Sequence, residues 1–507
     1  MTKPVLMAVC LVTAALAWDL SGRPLKAVEP AMKAGFAEAD ITPELGMEVP
    51  GGYGKSYCRS IHDPCKVRAA VFDDGQMRVA LVGVDAGFVY RPMVLQARER
   101  IQQRCGIRPD AVLIGASHSH SSGPLGIVQP GQYDHASDLV KRLAYEKSSC
   151  ADAGYVDRVR DKIVEAVCAA DQAKVEARCG AGVGQEDQVA YNRRLRMKSG
   201  VTWTHPGRNN PEVLDYAGPT DPAVGVLGAW DSAGKLLGCV VNFACHATTS
   251  PGGISANYIY YLERTIRGTM GPDAVVVFLQ GYSGDVTQVD NLSPHVSPNG
   301  ERWAQIVGGR VGAEAVKTLL SMEPGRLAPL DARSKLLQIA RRTPDPERVK
   351  RCLELAAKEP KEVGHTEWAF AKEIVLLDAL RAVSPTADIE VQAIQIGPVV
   401  LLANPGELFC QYSLNTRSRS PFPITFPVGY ANDFTGYVPT VEAFGPHGGG
   451  YETRLTSCSN LEIQAGQKMV DAVLELAGQM KPGELPQPAR ATEATPWTYG
   501  NVPPELH

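Results

Sequence analysis

Two hairpin signals constrain the fold of this chain more than any other feature. Residues 67–72 and 78–84 are β-rich runs around Asp73-Asp74-Gly75, and residues 223–230 and 236–244 flank Ser232-Ala233-Gly234. A short polar turn holding glycine between two such runs folds the second strand back along the first. Elsewhere strands and helices alternate. Pro92 opens a helical run that Gly106 closes, and residues 111–116 suit a buried strand. Val156, Val159, Ile163, Val167 and Ala170 recur at helical spacing. A helix over 258–267 leads into an apolar strand at 274–279. Alternation alone would give an all-parallel sheet, and the hairpins turn it into α/β with mixed β-sheets flanked by helices.

The segment 344–383 shifts to charged, helix-favouring residues and reads as a helical insertion or linker within one catalytic unit. Strands resume at 389–396 and 399–403 about Gly397-Pro398, and a last amphipathic helix covers about 461–477. The expected organisation is a signal peptide at 1–17, a first catalytic part at 30–343, the insertion, a second part at 384–480, and an irregular tail at 481–507. The signal peptide rests on Lys3, the apolar stretch 5–17 and its Ala15-Leu16-Ala17 ending, which is too short to span a bilayer. A secreted or periplasmic protein with no stable membrane span follows.

Apolar residues make up 44% of the 507, enough for a sizeable core, and the net charge of −4 becomes −5 once Lys3 leaves. No Lys/Arg run marks a nucleic-acid partner or an anionic membrane surface. Of twelve cysteines, Cys10 lies in the leader, leaving eleven. Cys58 and Cys65 flank a short loop and could pair, and one or two disulfides are expected in all.

Chemistry concentrates where apolar runs end. Ser117-His118-Ser119-His120-Ser121 follows one buried strand, and in extended chain two residues apart face the same side. His246 ends the run 240–245. Phe278-Leu279-Gln280 runs into Gly281-Tyr282-Ser283-Gly284-Asp285-Val286-Thr287, a glycine-rich turn of the kind that exposes backbone N–H groups to an oxyanion. Glu407 follows the run 399–403 through Asn404-Pro405-Gly406, and Tyr437 and Tyr451 stand in later loops. Alone, the paired histidines suit an ordinary polar loop equally well, and each of the other features reads first as a packed or solvated residue. Together, two imidazoles and a carboxylate with a position left open make the pattern of a catalytic zinc.

In order, these segments resemble the neutral, non-lysosomal ceramidase family over roughly residues 34 to 478. Asp40-Ile41-Thr42-Pro43 and Gly51-Gly52-Tyr53-Gly54 are similar to its opening elements. Ser117 to Pro124 is similar to its T-H-T-H-S-G-P motif, with one extra serine. The resemblance implies that His118, His246, Glu407 and Tyr437 bind Zn2+ and that His120, Tyr451 and Arg193, within Asn192-Arg193-Arg194, act on substrate. Two departures stand out. Thr287 occupies the place of the family's nucleophilic serine, and the following Pro-Asn pair is missing. The chain also stops without the family's C-terminal immunoglobulin-like domain, which loosens ceramide as the substrate.

The implied activity is zinc-dependent hydrolysis of an amide in a small-molecule or lipid N-acyl substrate. Zinc-activated water attacks directly, or Thr287 takes part. A zinc esterase or peptidase on the same site, or an exported binding protein without activity, remains the alternative. A serine hydrolase is disfavoured, because no G-x-S-x-G elbow occurs. The oligomeric state stays open.

Overall fold

The computed structural model describes residues 32–495 and 497–507, so the expected signal peptide lies outside the described residues. Three main sheets carry the fold. The first runs in the order Val112–Ala116, Arg78–Val84, Lys66–Asp73, Lys33–Asp40, Val175–Glu176. The second is Val275–Gln280, Leu236–Phe243, Ala223–Trp230, Arg178–Gln185, and the third is Leu330–Ala340, Thr386–Ile396, Val399–Ala403, Ile424–Val428. Both hairpins anticipated in the sequence pair antiparallel, Val67 opposite Val84 and Gly225 opposite Asn242.

Each main sheet also contains one parallel pair: Arg78–Val84 with Val112–Ala116, Leu236–Phe243 with Val275–Gln280, and Val399–Ala403 with Ile424–Val428. Parallel strands deliver their C-terminal ends to the same edge, where ligand sites of α/β folds gather. The polar loops singled out above leave from these ends. Apolar faces of all three sheets meet in one core, with Leu81 and Ile114 from the first, Val240 and Val277 from the second, and Leu401 and Phe426 from the third.

Local chemistry explains the helices. Arg91–Cys105 begins with proline in its first turn and ends at Gly106, which takes a left-handed φ of 73°. Ala153–Gln172 is capped by Asp152, whose carboxylate accepts the Tyr155 N–H. The 21-residue helix Gly300–Leu320 buries Ala304, Val307, Val311, Ala315 and Leu319 at helical spacing, with Gly308 and Gly312 on the same face. Those glycines let it lie against Tyr258–Met270: a Cβ on Gly308 would come within 2.1 Å of the Tyr258 carbonyl oxygen.

Residues 344–383 fold as helices Pro346–Ala356, Pro360–Val363 and His365–Val383. They pack with Asp138–Tyr145 in a hydrophobic cluster of their own, built around Leu143, Cys352, Trp368 and Ile374. The last helix is Ala465–Gly478, starting four residues later than its apolar spacing suggested, since Leu461 bridges to Arg341 instead. Beyond residue 480 the described chain has no helix or strand, and no described helix is long and apolar enough to cross a membrane.

The expected Cys58–Cys65 disulfide is not formed, and all eleven described cysteines are free thiols. Cys58 is tied by backbone hydrogen bonds to Gly46 and Met47, while Cys65 is tied to Ile41 and to the Thr42 hydroxyl. Different neighbours therefore fix the two backbones, and the Cys58 thiol donates to the Ser60 carbonyl.

Candidate metal centre

The parallel pair of the first sheet carries the chain to His118, which adopts a left-handed φ of 60°. A non-glycine residue there stores strain that the surroundings must hold in place, and such residues gather at functional sites. Here the hold is visible. Ser117 N–H donates to the Val84 carbonyl and Ser119 N–H to that of Ala86. The Nδ1–H of His118 donates to the Gly87 carbonyl at 2.9 Å, which leaves the Nε2 lone pair facing inward.

His246 repeats the arrangement from the second sheet. Its Nδ1 lies 2.7 Å from the Ser283 carbonyl oxygen and 3.1 Å from that of Val286, both in the loop after the neighbouring parallel strand. Gln280, fully buried, joins the two histidine loops: its amide donates to the carbonyls of Ser117 (3.1 Å) and Cys245 (2.7 Å), the residues just before His118 and His246. Nothing in the sequence singles out Gln280 beyond its place at the end of an apolar strand.

The third sheet supplies Glu407, whose two-residue strand pairs in parallel with Tyr437–Val438 so that Glu407 stands opposite Tyr437. Its Oε2 lies 3.4 Å from His118 Nε2 and 3.2 Å from His246 Nε2. A buried carboxylate oxygen normally has a hydrogen-bond partner. Glu407 Oε2 is buried without one. A tetrahedral zinc with bonds of about 2.05 Å holds neighbouring donors about 3.3 Å apart, so these separations suit a metal at their centre.

His120 joins the cluster, its Nε2 3.1 Å from that of His118, and the ligand nitrogens of His118, His120 and His246 all lie within 4.8 Å of one another. Among the described residues no partner fixes Nδ1 of His120. Metal-bound histidines are nearly always pinned through the second nitrogen. His118 and His246 thus share a feature of metal-bound imidazoles that His120 lacks.

Electrostatics support cation binding. Burial, then the Arg193 cation, lowers the His246 pKa to about 4. Burial, then the neighbouring imidazoles, pushes His120 well below the ordinary imidazole range. Burial opposes ionisation of Glu407, but His118 and His246 outweigh it and hold the carboxyl well below the usual carboxylate range. Imidazoles of His246 and His120 kept neutral beside an ionised carboxylate are protonation states that suit a metal.

The remaining candidates divide. Tyr437 and Tyr451 line the cavity of about 50 Å³ over the cluster, together with His118, His120, Glu407 and Tyr53. Burial raises both tyrosine hydroxyl pKa values. Arg193 does not line this cavity. Its guanidinium binds Glu452 (2.6 Å), the Gly284 carbonyl (2.9 Å) and the Tyr437 hydroxyl (3.1 Å), and approaches His246 Nε2 at 3.4 Å. It therefore holds the site's walls. Thr287 is likewise buried but outside the cavity lining, and its hydroxyl oxygen accepts the Val289 N–H at 3.2 Å.

Three further residues complete the surroundings. Tyr430, also at a left-handed φ (53°), stacks on the His118 ring with centroids 4.2 Å apart. Glu452 is wholly buried between Arg193 and the Thr204 hydroxyl. Asp285 ties the Asn192 amide and the Cys410 N–H to the glycine-rich turn. Glu452 and Asp285 adjoin residues already singled out, so the pairing of a loop acid with Asn192-Arg193 was the available signal. Tyr430 had none.

No protein-family model matches the chain. The neutral ceramidase of Pseudomonas aeruginosa is 23% identical over 339 residues, covering 63% of this chain and 46% of that protein. The chain thus spans about half the length of the curated relative it matches. Among solved structures, the crystal structure of neutral ceramidase from Pseudomonas aeruginosa superposes with a TM-score of 0.65 at 21% identity, covering 91% of this chain and 77% of that one. A ceramidase complexed with C2 gives a TM-score of 0.63 at 19% identity, covering 90% and 78%.

Proposed function

We propose, from the premise that the chain is neutral-ceramidase-like in sequence and fold, that it is a zinc-dependent hydrolase of N-acyl amides, ceramide-like lipids among them. The observation that carries this reading is the orphaned Glu407 Oε2, buried within 3.4 Å of two imidazole nitrogens whose other nitrogens are pinned by carbonyls.

Zinc would be held by His118 Nε2, His246 Nε2, Glu407 Oε2 and the Tyr437 hydroxyl, and when bound it supplies Lewis acidity and a water with its pKa lowered to about 7. The protein's own residues do the rest. The Gly87, Ser283 and Val286 carbonyls keep both ligand imidazoles in the tautomer with Nε2 free. Tyr451, on the cavity wall, donates its hydroxyl to the amide carbonyl oxygen as negative charge develops there. His120, neutral and without a partner on Nδ1, takes a proton and returns it to the leaving nitrogen. Arg193 orients the Tyr437 hydroxyl and stays out of the substrate's path. Direct attack by water is favoured over a Thr287 nucleophile, because the Thr287 hydroxyl is engaged by Val289 and lies outside the cavity lining. An extracytoplasmic location belongs to the same reading.

The test is metal analysis of the purified chain followed by a screen of ceramides and N-acyl amino acids. About one zinc per chain and an amide hydrolysis that chelation abolishes and zinc restores are expected. A chain without stoichiometric zinc, or amide cleavage indifferent to chelation, overturns the reading.

A further inference from the structure

The helix His365–Val383 belongs to the segment that looked like an insertion, yet it packs against Tyr53 and Tyr451, which line the cavity over the histidine cluster. Lys372 and Glu373 on it are 0% and 2% exposed. Lysine and glutamate are almost never this buried unless paired. Lys372 Nζ lies 3.0 Å from Glu373 Oε1, and it donates to the Tyr53 carbonyl at 2.6 Å and to the Ser148 hydroxyl at 2.7 Å. Glu373 Oε2 accepts the Ser457 hydroxyl.

Tyr53 and Cys458, the latter adjoining Ser457, both line the cavity that His118, His120 and Glu407 share. Adjacent helix positions diverge by about 100° around the axis, so two neighbouring side chains can reach two different loops. Phe370, on the same helix, packs edge-on against Tyr53 (5.8 Å) and Tyr451 (6.4 Å). The Tyr53 and Tyr451 rings in turn lie 6.1 Å apart.

We propose that Lys372 and Glu373 are positioning residues for this site, holding its Tyr53 and Cys458 rims and through Tyr53 the orientation of Tyr451. The energetics favour this over a purely stabilising role. Replacing a buried ion pair by uncharged groups of similar volume is often neutral for stability, so a pair of this kind gives weak support to the fold itself. Besides Ser148, its contacts run to the Tyr53 carbonyl and to the Ser457 hydroxyl beside Cys458, both in loops that line the cavity, where small displacements cost rate.

The test uses the full chain with zinc bound and the double variant Lys372→Met/Glu373→Gln. Amide hydrogen exchange at residues 52–54 and 457–458 is expected to quicken tenfold or more, with melting temperature and zinc content retained. Through the hydrolase reading, on which this arm rests, kcat falls at least tenfold while KM stays within twofold, as a misplaced wall predicts. Unchanged exchange and unchanged kcat at full zinc content overturn the proposal. If no amide is cleaved by the wild type, the hydrolase reading fails and exchange alone decides this one. If the double variant does not fold, Ser457→Ala removes the contact at the Cys458 rim without touching the helix. Quickened exchange at 457–458 then supports the proposal, and unchanged exchange overturns it.

Discussion

Acidifying the zinc-stripped protein tests the electrostatic reading of the cluster directly. An unfolded histidine titrates near 6.5, whereas His246 in the fold titrates near 4, chiefly because burial disfavours the imidazolium. Between those values the unfolded chain binds a proton that the folded chain refuses, so stability falls as pH falls. The full window corresponds to about 3.4 kcal/mol at 1.36 kcal/mol per pKa unit. From pH 7 to pH 5 the same two values give about 1.8 kcal/mol. That interval lies above the range in which Glu407, held well below ordinary carboxylates, titrates in the folded state. Urea unfolding of the chelator-treated chain at pH 7 and pH 5, beside His246→Gln, reads the effect as a difference of differences. The wild type is expected to lose about 1.8 kcal/mol more than the variant over that interval. Equal losses in the two proteins would show that His246 is not held neutral by its surroundings, and the argument for a preset metal site would fail with it.

Four other outcomes follow from the same geometry. Glu407→Gln should lower zinc content well below one per chain by metal analysis, since it removes the one carboxylate between the imidazoles; full zinc occupancy would remove Glu407 from the ligand set. Thr287→Ala should keep most amide turnover and His246→Ala should lose it, and the reverse pattern would restore threonine as nucleophile. Gly51→Ala should cut turnover with zinc retained, because Gly51 sits at a φ of 116° and an added Cβ would lie 2.7 Å from His120 Nδ1; unchanged rates would show that His120 yields at no cost. Treating the folded chain with a disulfide reagent should link Cys105 to Cys168, whose sulfurs are 3.2 Å apart. Closing the 63-residue separation would raise stability by up to about 4 kcal/mol, and alkylation of both thiols after oxidation would disprove the link.

Most of the local architecture was legible in the residues themselves. Asp73-Asp74-Gly75 and Ser232-Ala233-Gly234 announced hairpins, Pro92 and Gly106 bounded a helix, and His118, His246 and Glu407 stood at the ends of apolar runs because parallel strands must end in loops. These signals are local, so one stretch of sequence carries each of them. Why glycine stands at 308 and 312 on the buried face of Gly300–Leu320 is not local, since it answers to the close approach of Tyr258–Met270. The Cys58–Cys65 pairing failed for the same reason, since strands and loops elsewhere in the chain set both backbones.

What the tertiary structure alone decided is which of these residues meet, and how each is held. Residue type and spacing leave His120 equivalent to His118, and only the family resemblance separates them in the sequence; in the fold, of the two, His118 alone has its second nitrogen pinned by a carbonyl. Arg193, a substrate contact by resemblance, also braces Tyr437 and Glu452, which its local sequence does not announce. Lys372 resembles any solvated helix lysine until the fold buries it against the Tyr53 carbonyl, 319 positions away along the chain. Residue type and local spacing determine what a side chain can do, but burial and partner distance determine what it does, and those belong to contacts between segments far apart in sequence.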